Sequence, residues 1–248
     1  MKIHRETILS SARDLCLDEG LEGFSMRKLA SHVGVTAPAL YRHYEGKEEV
    51  ILDVVSEAYR IQMEYLSRAL AASTAEERFS GAGEAYMEFA LQNPRLYELL
   101  YNYADVLGLA SIPEETAARA RAVGQFWQDR VREMMGAGLL KEGDPDQVSA
   151  TFWALAHGII TLYVQGVLPL DEDGVRAFAW VVFARVLDGL ATEGYAEKVR
   201  DEVEDSGLSD ALAGAFDPEH LTGPLAARNS SEAAPVGGTD MPEAAADD

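Results

Sequence analysis

"GVTAPALYRHYEGKEEV", residues 34–50, sets Arg42, His43 and Lys47 beside Tyr41 and Tyr44 in a chain of 248 residues with formal net charge −21. DNA repels an acidic surface, because its backbone carries about one negative charge per 1.7 Å. Over residues 25–47 the balance reverses: Arg27, Lys28, Arg42 and Lys47 stand against Glu45 alone, with His32 and His43 in reserve. Cationic character gathered in one short region is the electrostatic footprint of a local nucleic-acid contact.

The local pattern explains how such a region folds. Ser25 caps a helix from Met26 to about Val33, with Leu29, Ala30 and Val33 facing inward, and Gly34 ends it. Thr36 caps a second helix from Ala37 to Tyr44, with Pro38 in the first turn, where a missing N–H costs little. Two short helices joined by a glycine-containing turn form a helix-turn-helix, whose second helix enters the major groove while its neighbours clamp phosphates. Leu40 holds that helix on its scaffold, so Thr36, Ala37, Ala39, Arg42 and His43 project outward. The small residues at 37 and 39 let the backbone approach bases, and Arg42 offers two donors to guanine, a contact worth about 1–3 kcal/mol of discrimination. Thr36, Tyr41, Tyr44 and Lys47 suit phosphate, and Arg27 reaches the other strand. The expected DNA-contacting set is therefore Arg27, Thr36, Ala37, Pro38, Ala39, Tyr41, Arg42, His43, Tyr44 and Lys47. The competing reading makes Tyr41 and Tyr44 core aromatics, with Arg42 and Lys47 on a solvated face.

Outward from this segment the chain is expected to be all-α. A first helix spans Arg5 to Glu19 and ends at Gly20, and a long one follows from Lys47 to about Ala72. Thr74 with Glu77 reads as a capping box opening a helix that ends near Asn93-Pro94. Further helices cover Arg95 to Val106, Pro113 to about Gly136, Asp144 to about Gly166, and Glu172 to Glu193, the last stopped by Gly194. After Tyr195 the composition turns acidic and small, with brief helices expected at 197–204 and 208–215 and disorder from about residue 224. This gives a helix-turn-helix domain over 1–47, a larger helical domain over 48–195 and an acidic tail over 196–248. The 48% hydrophobic content is ample for a core, and the lone Cys16 excludes an internal disulfide and a thiolate-rich zinc site. The start of the chain lacks an apolar signal segment, so a cytoplasmic location is expected. Phe152 to Leu170 contains no Asp, Glu, Lys or Arg, but carries His157, Gln165 and Pro169 between acidic flanks. It is read as a helix buried in a bundle or dimer rather than a membrane span.

Residues 24–55, "FSMRKLASHVGVTAPALYRHYEGKEEVILDVV", resemble the DNA-binding domain of TetR-family transcriptional repressors. The match rests on the spacing of Leu29-Ala30, Gly34-Val35, Leu40-Tyr41, His43-Tyr44 and Lys47. Val50 stands where leucine is common, and Arg42 replaces a position often serine, tyrosine or tryptophan, which bears on the operator read. The resemblance implies a three-helix DNA-binding domain, a regulatory domain with an inducer pocket, repression of operator DNA, and homodimers docking through the last two helices. "FWALAHGIITLYVQG", residues 152–166, is similar to the Trp, His-Gly signature of one carboxy-terminal subgroup, which would put this helix in the dimer bundle. Ala156, Gly158 and Gly166 permit close helix approach there. Ala156, Gly158, Ile159, Tyr163, Phe178 and Val182 are the expected dimer contacts.

Nothing in the sequence assembles enzyme chemistry. His157 has no second His, Cys or carboxylate at metal-ligand spacing, and no metal or cofactor is expected. "DEDG", residues 171–174, lacks the bidentate glutamate of a calcium loop, because Trp180 stands in its place. No phosphate-cradling, dinucleotide or hydrolase motif occurs. Tyr86, Tyr101, Trp127, Trp153 and His157 are the candidates for lining a pocket for a small apolar effector. A transcriptional activator with the same DNA module, and an all-helical enzyme or carrier, are the rival functions.

Overall fold

The computed structural model describes residues 4–108 and 112–212. Its helices are α1 (Arg5–Gly23), α2 (Met26–Val33), α3 (Ala37–Leu40), α4 (Lys47–Ser67), α5 (Ala75–Gln92) and α6 (Pro94–Val106). They continue with α7 (Glu114–Gly136), α8 (Pro145–Val164), α9 (Glu172–Leu190), α10 (Glu193–Ser206) and α11 (Leu208–Ala211). Extended pairing among the described residues is confined to one isolated antiparallel bridge between Leu140 and Ala191. The all-α class and most helix positions follow the sequence.

Local chemistry fixes the boundaries near the amino end. Gly20 interrupts α1 with φ 71° and ψ 172°. The Ser25 side chain accepts the Lys28 N–H at 3.2 Å, opening α2. Gly34 closes that helix in the left-handed region, and the Val35 N–H reaches back to the Ala30 carbonyl at 2.9 Å. The second short helix is tighter than expected, because regular α geometry stops at Leu40 and residues 41–43 form a turn.

Ile8, Leu15, Leu29, Leu40, Tyr44 and Ile51 belong to one buried cluster that runs on through Ala58 and Leu66 to Tyr86, Leu99 and Ile160. The helix-turn-helix and the regulatory helices thus share a core, and the expected boundary at residue 47 is no break in packing. The helix α4 is the shared element, about 30 Å long at 1.5 Å per residue, and a 3₁₀ turn over Arg68–Ala71 ends it. The capping box opens α5 as expected: Thr74 Oγ1 accepts the Glu77 N–H, and Glu77 Oε2 accepts the Thr74 N–H, both at 3.1 Å. Those backbone hydrogen bonds hold the Glu77 carboxyl below its ordinary pKa.

The carboxy-terminal boundary differs from expectation. Helix α9 stops at Leu190, because Ala191 takes an extended conformation and Leu139 to Lys141 pair with Leu190 to Thr192. Gly194 falls in the first turn of α10 and stops nothing. Tyr195, Ala196 and Val199 are buried with Val131, Met134 and Leu187 in a second core, so residues 193–206 are folded structure rather than tail. The disorder expected from about residue 224 lies outside the described residues.

Candidate functional site

Arg27, Thr36, Pro38, Tyr41 and Arg42 are exposed, Tyr41 at 55% of its surface. Arg27 and Arg42 enter no ion pair among the described residues, so their charge is available to an external anion. Lys28 is instead engaged with Glu19 and donates to the Gly23 carbonyl at 2.9 Å. Ala37 and His43 are half-buried.

Three members of the expected set are placed otherwise. Tyr44 is 2% exposed, and its hydroxyl donates to Asp53 Oδ2 at 3.0 Å, so it is a core aromatic and not a phosphate contact. Burial, then the Asp53 charge, push its phenol pKa up. Ala39 is 9% exposed and faces the scaffold rather than the bases. Lys47 is half-buried and donates to the Leu21 carbonyl at 3.0 Å, closing the end of α1.

Arg5 went unnoticed in the sequence. Its guanidinium donates to Asp53 Oδ2 from Nε at 3.0 Å and from Nη2 at 2.9 Å, and to the His43 carbonyl from Nη1 at 3.3 Å. It also lies over the Tyr44 ring, 4.4 Å from the centroid. Arg5, Tyr44 and Asp53 together latch the end of the α3 segment to α1 and α4. No short-range pattern links Arg5 to residues this far along the chain.

The regulatory helices form a solvent-open cavity of about 710 Å³, within the range typical of small-molecule sites. Its walls come from α5, α7, α8, α9 and α10, and of the expected residues Tyr86, Trp127 and Trp153 line it. Tyr101 and His157 do not; they sit in a hydrogen-bonded aromatic cluster. There the Tyr86 hydroxyl is 2.9 Å from that of Tyr101, and the Tyr97 hydroxyl is 2.6 Å from His157 Nδ1. The cluster satisfies hydroxyls that burial would otherwise strand. Burial lowers the His157 pKa below its ordinary value and raises those of Tyr86 and Tyr97. His157 still touches the cavity wall indirectly, stacked on Trp153 at 5.5 Å and 17°.

Comparison with known proteins decides the family. Residues 8–54 match the bacterial regulatory proteins, tetR family, and residues 79–185 match the tetracyclin repressor-like, C-terminal domain. The chain belongs to the TetR family. It is a DNA-binding transcriptional regulator, and the helix-turn-helix lies inside the first match. A similar relative is the HTH-type transcriptional regulator Rv1816 of Mycobacterium tuberculosis, 25% identical over 208 residues, 81% of this chain and 85% of that protein. A solved structure of a protein with unknown function from Rhodococcus sp. RHA1 superposes with TM-score 0.68 at 25% identity, covering 77% of this chain and 97% of that one. The structure of AibR in complex with isovaleryl coenzyme A and operator DNA shares the fold, with TM-score 0.52 at 22% identity over 63% of this chain and 85% of that one.

Within this TetR-family chain the expected dimer contacts divide. Ala156 and Ile159 are 8% and 4% exposed and pack inward, Ala156 against the cavity, so neither is offered to another copy. Gly158, Tyr163, Phe178 and Val182 are half-buried. The cavity walls from α9 and α10, including Trp180, Phe183 and Tyr195, were missed in the sequence. Tyr195 is the last residue before the expected tail, and the apolar repeat of α9 does not distinguish cavity wall from core.

Proposed function

We propose that the protein is a homodimeric repressor, released from its operator by a small molecule held in the 710 Å³ cavity. The observation that carries this reading is the surface of α8. Its composition is apolar enough, and its length great enough, to cross a membrane, yet only 28% of its most apolar stretch is buried within one copy of the chain. Leu162 is 41% exposed on the side of α8 away from the cavity. A second copy docking α8 and α9 would cover that surface, with Gly158, Tyr163, Phe178 and Val182 as contacts. Two copies of the α3 segment would then enter successive major grooves about 34–36 Å apart. Thr36, Pro38, Tyr41, Arg42 and Arg27 are the proposed DNA contacts, in the cytoplasm, where the operator lies.

Coupling would run through α4. The same α4 carries Asp53, which latches the DNA-reading segment, and Ala58 and Leu66, which pack into the regulatory core. A ligand that shifts the regulatory helices and moves α4 would change the spacing of the two reading segments. A coupling of about 1–3 kcal/mol suffices, and DNA must weaken the ligand by the same factor. Transcription in vitro from a promoter overlapping a selected operator tests the reading. Added protein should lower the transcript and a cavity ligand should restore it; a rise on adding protein would make the chain an activator.

A further inference from the structure

The walls and rim of the cavity select a chemical class of ligand. Trp127, Trp153 and Trp180 are the three tryptophans of the entire sequence, and all of them line it. Phe79, Phe152 and Phe183 add further aromatic wall, with Phe79 edge-on to Phe152 at 5.1 Å. Aromatic faces carry negative quadrupole density and attract cations, more strongly once water is excluded.

The charged groups of the lining point the same way. They are four carboxylates, Glu76, Glu84, Glu88 and Glu202, against one guanidinium, Arg176. Arg176 is already paired with Glu172 at 2.8 Å. Lys198 holds Glu76 at 2.8 Å and lies 3.7 Å from Glu202, and Arg68 lies 3.5 Å from Glu88. Glu84 has no hydrogen-bond or ion-pair partner among the described residues. An aromatic chamber with an uncompensated carboxylate at its rim, in a chain of net charge −21, draws in a positive ligand and turns an anion away.

We infer that the cavity binds a lipophilic organic cation, such as a quaternary ammonium or phosphonium bearing aromatic groups. This deepens the effector proposal and rests on the cavity being the effector site. The test uses a pair of probes of matched shape and opposite charge, tetraphenylphosphonium and tetraphenylborate, titrated into the full chain. Tryptophan fluorescence is the readout, since every tryptophan lies on the cavity wall.

The phosphonium should quench saturably and the borate should not. Quenching by the cation should persist at an ionic strength that screens surface charge. Glu84→Gln, at an exposed position, should weaken the cation about fivefold, the effect of removing a single rim charge. Equal binding of the two probes, preference for the borate, loss of all saturable quenching at high salt, or an unchanged cation affinity in Glu84→Gln would overturn the inference. Operator retention, followed in parallel, separates it from the repressor reading. A cation that saturates the cavity while operator stays bound supports the cavity's cation preference and removes the effector role. A neutral or anionic compound that releases operator while the cation fails to bind does the reverse.

Discussion

Replacing Tyr44 with phenylalanine separates the two roles that this residue was open to in the sequence. The ring is 2% exposed and packs in the core, and phenylalanine preserves that packing and the Arg5 guanidinium over the ring. What disappears is the hydroxyl donating to Asp53 Oδ2 at 3.0 Å. A hydrogen bond to a charged acceptor contributes about 1.5–3 kcal/mol. Asp53 keeps both Arg5 donors on the same oxygen and is 32% exposed, which lets water replace part of the loss. The expected cost is therefore about 1–1.5 kcal/mol, or roughly a tenfold rise in the unfolded fraction. Urea unfolding measures it as a lower midpoint at unchanged slope. Operator binding, measured against salt, should keep its dependence on ionic strength, because no phosphate contact is removed. Full stability together with a shallower salt dependence would refute the placement of Tyr44 in the core.

Arg42→Ala should weaken operator binding by about 1–3 kcal/mol while leaving binding to unrelated DNA nearly unchanged, as read by gel retardation with competitor; equal losses on both would assign Arg42 to phosphate. Gly34→Ala should cost about 1–2 kcal/mol, since Gly34 holds φ 76° and an added Cβ would meet nothing within 4 Å, so the penalty is conformational alone. Gly46→Ala, at an extended φ of −173° and also open, escapes the left-handed penalty and loses only the N-cap preference of glycine over alanine, so its melting temperature should fall less. Leu162→Glu should convert the proposed dimer to monomer in sedimentation, since it charges the uncovered face of α8. His157 predicts a pH dependence: its folded pKa is lowered by burial, so the unfolded chain takes up a proton first as pH falls below about 6.5. Stability should decline from that point and level off below the folded pKa, and His157→Gln should remove that part of the decline in urea midpoints.

The sequence made the helix-turn-helix legible because its signals are local. Ser25, Gly34, Pro38 and the Thr74–Glu77 box act within three or four residues of themselves, and each is found where its chemistry requires. The exposure of the proposed DNA-reading set was legible to the extent that it follows helical phase, which places Thr36, Tyr41 and Arg42 outward. Phase failed at Tyr44 because the helix ends at Leu40 and the turn beyond it rotates that side chain toward Asp53. At Lys47 it gave no hint of the bond to the backbone carbonyl of Leu21, which carries no sequence signature. The cavity was only half legible. Aromatic side chains on α5, α7 and α8 are visible in the sequence, but whether they line space or fill it depends on how far apart α5 and α9 stand. The α10 wall was lost to composition, because Glu and Lys on its outer face masked the buried Tyr195, Ala196 and Val199.

The most direct measurement is a base-resolution footprint of the purified protein on an operator selected from genomic DNA. Two protected patches in the major groove on one face of the duplex, centred about 10–10.5 base pairs apart, are expected, with both lost in Arg42→Ala at equal protein concentration. A single patch, or protection that Arg42→Ala leaves intact, would contradict the reading of operator DNA by paired copies of the α3 segment.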